Sequence, residues 1–179
     1  MDPVLINTAA PSSHLLGGSL LQRISWTTGS TFQTIFDSYV NYLLRHYGHP
    51  ENITVVFDGG YLNASTKDST HIRRTKGRIW RLVKISASTP LTMKKEEFLL
   101  NCENKQSFLL MLGQMIANAV IGVQHADGDA DLLIVTTTLS LAKECPVSLV
   151  GEDTDGPTDS LVLPLQQGLT PSSLHNFEL

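Results

Sequence analysis

A five-residue run, Ile53-Thr54-Val55-Val56-Phe57, closed by Asp58-Gly59-Gly60, does most to limit what this chain can become. The run is short, β-branched and almost wholly apolar, which is the pattern of a buried strand ending in a turn. Ahead of it, Phe32, Ile35, Phe36, Tyr39, Val40, Leu43 and Leu44 recur at helical spacing, and Gly48 is a natural stop. A polar helix is expected from about 65 to 83, and helical segments over 93–101 and 105–120. A strand is read at Val120-Ile121-Gly122-Val123, a helix from Asp131 to Lys143, and a second clear strand at Val147-Ser148-Leu149-Val150. Strands separated by helices imply an α/β architecture with a largely parallel sheet.

The chain has 179 residues, 41% of them hydrophobic, which fits one domain with a real core and excludes a mainly disordered chain. Residues 1–13 and 165–179, broken by Pro, Ser and Gly, read as loose ends around a domain at 14–164. No apolar run approaches the roughly 18 residues that a membrane helix needs. Met1-Asp2-Pro3 lacks the basic flank of a secretory signal, so an intracellular protein without a membrane partner is expected. Cys102 and Cys145 are too few for a disulfide framework or a four-ligand zinc site and read as free thiols.

The net charge of −4 is unevenly distributed. Nine of the 13 basic residues lie between Lys67 and Lys95, and eight of the 17 acidic residues lie between Asp127 and Asp159. Three acidic clusters each follow a strand candidate: Asp58, then Asp129 with Asp131, then Asp153 with Asp155. In an open parallel sheet, ligands bind beyond the carboxyl ends of the strands, so the three clusters are expected to meet at one edge. Five carboxylates crowded together require a cation, because like charges raise one another's pKa. All-oxygen donors suit Mg²⁺ or Mn²⁺ rather than zinc, and two such ions would activate a water and stabilise the leaving oxygen of a phosphodiester. Taken singly, Asp58 has a plainer role as a turn residue, Asp129 or Asp131 as a helix cap, and Asp153 and Asp155 as a solvated loop.

Lys67, His71, Arg74, Arg78 and Arg81 fall on one face of the expected polar helix, with Ser65 as its cap and Asp68 in the capping-box position. A cationic stripe of this kind grips phosphates without reading sequence. The plainer alternative is a solvated helix face.

Val55-Val56-Phe57-Asp58-Gly59, the basic stretch after it, Asp127-Gly128-Asp129-Ala130-Asp131 and Val150-Gly151-Glu152-Asp153-Thr154-Asp155 together resemble the PIN-like nuclease domain of flap endonucleases and related 5′ nucleases. The likeness runs from about residue 15 to 163, and Glu-Asp-x-Asp is its most specific piece. Ser65–Asp68 and Arg73-Arg74 resemble the eukaryotic, often mobile-element-associated branch. The resemblance implies a PIN-like three-layer fold, with a mostly parallel central sheet flanked by helices. It further implies a phosphodiesterase using Mg²⁺ or Mn²⁺, with two ions, on DNA or RNA. Asp58, Asp129, Asp131, Asp153 and Asp155 would be its metal ligands, Glu152 a neighbour, and Arg74 and Arg78 would steer the scissile phosphate.

Three departures accompany the likeness. The family's aspartate at the end of the first strand corresponds here to Gly17, within Leu15-Leu16-Gly17-Gly18-Ser19. Gly156-Pro157-Thr158-Asp159-Ser160 separates the last aspartates from Leu161-Val162-Leu163. No helix-hairpin-helix signal follows Leu163, as in a truncated or decayed copy. Two functions therefore compete: a divalent-metal-dependent nuclease-like domain of weakened activity, and a catalytically inactive module that binds nucleic acid or a protein. A phosphotransferase using Asp58 as nucleophile lacks the Asp-x-Asp spacing it would need.

Overall fold

A computed structural model describes residues 12–57, 81–126, 130–141, 147–150 and 160–163. Chain order is β1 (Ser12–Leu16), α1 (Gly17–Arg23), α2 (Phe32–Tyr47), a 3₁₀ turn (Pro50–Asn52), β2 (Ile53–Phe57), α3 (Lys95–Leu99), α4 (Cys102–Asn118), β3 (Gly122–His125), α5 (Ala130–Leu141), β4 (Val147–Val150) and β5 (Ser160–Leu163). The fold is α/β, with a small, mostly parallel sheet in the order β3-β2-β1-β4-β5. β1 to β4 run parallel, and β5 pairs antiparallel on the edge of β4.

The expected stripe makes α2. Phe32, Ile35, Phe36, Tyr39 and Leu43 are buried, while Val40 and Leu44 pack at the margin. Thr31 caps the helix by accepting from Thr34 N at 3.3 Å. Gly48 ends it at φ 80°, a left-handed conformation that a side chain would resist. Ile53, Val55, Val56 and Phe57 of β2 are all buried, as a strand covered on both faces requires.

The chain steps from β1 to β2 to β3 in one direction through α1 to α4, then returns across the sheet through α5 to β4. Right-handed crossovers in opposite directions put their helices on opposite faces. Burial agrees: Ile53, Val55 and Phe57 join the core of α1, α2 and α4, whereas Val56 packs with Ala126 and Ile134 of α5. α5 lies against β1, β2 and β4.

Several boundaries differ from the sequence reading. β1 starts at Ser12, inside the segment read as loose, and is the central strand of the sheet. β3 falls two residues later than expected, because α4 runs to Asn118 and Val120 turns through φ 64° before the strand begins. Arg81–Val83 is not helical. Buried Asn104 ties down its backbone, its Oδ1 accepting from Val83 N at 2.8 Å and its Nδ2 donating to Arg81 O at 2.9 Å. Side-chain amide bonds to a backbone compete directly with helical ones.

Candidate functional site

The four parallel strands end on one edge of the sheet, at Leu16, Phe57, His125 and Val150. Register aligns them: Leu16 lies beside Val56, Leu15 beside Val150, and Phe57 beside His125. In the chain, Gly17 follows Leu16, Asp58 follows Phe57, Asp129 comes four residues after His125, and Asp153 three after Val150.

Asp58, Asp129, Asp153 and Asp155 lie outside the described residues, as do Lys67, His71, Arg74 and Arg78. The backbone of Asp131 is in the first turn of α5, the helix that leaves this edge after β3. Arg81 is exposed and not helical, so it does not continue a helical stripe. Among the described residues, no three His, Cys, Asp or Glu side chains gather into a metal site.

Gly17 directly follows β1 and opens α1 with no loop between them. Its predecessor pairs with Val56, so Gly17 stands beside the end of β2 in the middle of the edge. The far end of α1 is anchored deep in the core. The Leu21 carbonyl accepts from Tyr39 Oη at 3.0 Å and from Lys95 Nζ. Lys95 Nζ also donates to Ile24 O at 2.9 Å and lies 5.8 Å from the Trp26 ring centre. Trp26 Nε1 donates to Tyr39 Oη at 2.9 Å. A cation on the last carbonyls of a helix satisfies groups that have no partner within the helix and complements its dipole. Burial pushes the Tyr39 phenol well above its ordinary pKa, so it stays protonated and able to donate.

His125 was not singled out in the sequence. It closes β3, stacks on Phe57 with ring centres 5.3 Å apart at 28°, and is exposed. Ala126 N donates to Phe57 O at 3.0 Å, continuing the pairing one residue beyond β3. Gly113 lets α4 lie close to this strand: a Cβ there would come 3.2 Å from His125 Nε2. The signal is present in the sequence, since His125 stands two residues before the acidic segment 127–131. Starting the strand at Val120 concealed its place at the strand end.

No family model, curated protein or solved structure matches the chain.

Proposed function

We propose that the chain is a PIN-like three-layer α/β domain whose carboxyl edge holds divalent cations and acts on phosphodiesters of DNA or RNA. The observation that carries this reading is the common edge of β2, β3 and β4, each followed in sequence by aspartates. Asp58, Asp129, Asp131, Asp153 and Asp155 are an all-carboxylate donor set, which fits Mg²⁺ or Mn²⁺. Bound there, such ions supply the Lewis acidity that phosphodiester hydrolysis needs. The chain's own part is to bring carboxylates that follow separate strands to one edge and to keep the backbone of the nucleic acid against them. Lys67, His71, Arg74, Arg78 and Arg81 are the proposed phosphate contacts, with Arg81 acting from a non-helical segment.

A second reading, the same fold without turnover, is favoured by Gly17. It occupies the central strand end, where the resemblance implies a further carboxylate.

Labelled flap, duplex and single-stranded substrates, incubated with the pure chain in Mg²⁺ or Mn²⁺, separate the two. Cleavage that is absent from an Asp153→Ala/Asp155→Ala control is the expected result. Binding without cleavage supports the inactive module. Gly17→Asp should raise activity if that position adjoins the metals.

A further inference from the structure

Phe57 and His125 stand side by side on β2 and β3, the last register pair at the carboxyl edge. Their rings are stacked, with centres 5.3 Å apart at 28°. Phe57 is fully buried, whereas His125 is exposed. α4 closes on the imidazole from another side: a Cβ at Gly113 would lie 3.2 Å from Nε2 and 3.6 Å from Cε1. The strand end is itself tied down, since Ala126 N donates to Phe57 O at 3.0 Å. Among the described residues, no hydrogen bond or ion pair engages the ring nitrogens of His125. The ring is therefore held in place, open to solvent and without a polar partner among those residues.

A ring that served only to cover Phe57 would need no nitrogen. A polar group held rigidly at the carboxyl edge of a parallel sheet stands where this architecture binds its ligands. The winding reverses between β1 and β4, so a ligand centres there. β3 lies two strands away from β1, roughly 10 Å, so a ligand that also reaches His125 is a chain rather than a single small ion. The same helix that borders His125 also ties the backbone of Arg81, through Asn104. Asn104 precedes Gly113 by nine residues, roughly 14 Å along the helix axis, which spaces the two polar residues as along a strand of phosphates. A neutral imidazole carries one N–H donor, so it can serve a phosphate oxygen without changing its charge. We infer that His125, held by Phe57 and α4 at the end of β3, donates a hydrogen bond to a phosphate oxygen of the nucleic-acid strand crossing the carboxyl edge. This rests on the proposed function in taking the ligand to be nucleic acid, and not on turnover.

Two measurements on the full chain with a labelled single-stranded oligonucleotide test this, both in EDTA, where no metal-dependent cleavage occurs. Anisotropy should show His125→Phe, which keeps the stacked ring but lacks the donor, binding about tenfold more weakly than the native chain. Its urea midpoint should stay close to the native one, which separates loss of contact from loss of fold. In nitrogen-edited spectra of the native chain, the ring signals of His125, assigned through the backbone, should shift as the oligonucleotide is added. Those of His46 and His49, at the far end of α2, should not. Ring signals of His125 that stay fixed, whether the oligonucleotide binds or not, overturn the inference. So does native affinity in folded His125→Phe. Cleavage in Mg²⁺ or Mn²⁺ with the His125 signals fixed removes this contact and keeps the nuclease reading. Shifted His125 signals without cleavage keep the contact and favour the inactive module.

Discussion

On one face of the sheet, Phe57 and Val55 are buried against a group of rings in which Phe108 is central. Its ring centre lies 4.5 Å from Trp26, 5.1 Å from Phe36 and 6.0 Å from Tyr39. On the other face, Val56 meets Ala126 and Ile134, with Leu133 beside them. That second face belongs to α5, which contains Thr136-Thr137-Thr138, a run of poor helix formers, and leaves Leu132 exposed. The contrast assigns two duties. Aromatic packing, which is worth more per residue and fixes ring geometry, holds the strand that leads into Asp58. Among the described residues, aliphatic contacts without aromatic rings hold the helix that begins beside Asp129 and carries Asp131.

The widest test of this contrast compares one truncation on each face by denaturant unfolding. Phe108→Ala should cost about 4 kcal/mol and Ile134→Ala about 2 kcal/mol. An equal or reversed order would remove the distinction between the faces.

Next in size is the anchor of α1. Lys95→Met keeps the volume of the stem but deprives the Ile24 carbonyl of its donor and the Leu21 carbonyl of one of two. A loss of about 2 kcal/mol is expected, measured as a lower unfolding midpoint at unchanged slope.

The same face should respond to alkali. Burial, reinforced by Tyr42, pushes the Tyr47 phenol up to about 12, and burial raises Tyr39 further. Above an unfolded phenol pKa of about 10, the unfolded chain gives up protons that the folded chain retains, so stability falls as pH rises. It should be steady below about pH 10 and decline from there toward pH 12. Tyr39→Phe should soften the decline, at the cost of the bonds to Trp26 and Leu21. Urea midpoints across that range decide it, and a flat profile in the native chain would contradict the assignment.

Smaller effects lie at the seam between α4 and β3 and on the α5 face. Val120 is a β-branched residue at φ 64° and largely exposed. Val120→Gly should therefore raise stability by about 1 kcal/mol through relief of left-handed strain. Among the described residues the buried hydroxyl of Thr138 has no hydrogen-bond partner, so Thr138→Val should add about 0.5 kcal/mol. Thermal unfolding measures both. Destabilisation by either variant would contradict the local reason given for it.

What could be read in the sequence follows from how locally each feature is determined. The α2 stripe and the buried run of β2 announce themselves because their periodicity is set by their own burial. β1 was hidden: Ser12-Ser13 has no apolar pattern, and its place comes from pairing with β2 and β4. The late start of β3 depends on a left-handed turn at a valine, which residue preference argues against. Arg81–Val83 reads as helical by spacing alone, and a distant asparagine, Asn104, takes its backbone hydrogen bonds instead. For the site, the ends of β2 and β4 were legible and so was their common edge, because parallel α/β topology places them together. His125 was not, because its role depends on a register that periodicity does not supply.

Calorimetric titration of Mn²⁺ into the pure chain tests the proposed metal site at the carboxyl edge most directly, without reference to turnover. Saturable binding that is abolished by Asp153→Asn/Asp155→Asn and weakened by Asp58→Asn is the expected result. Absence of binding in the native chain, or binding untouched by those changes, would mean that the aspartates after β2, β3 and β4 do not share a cation.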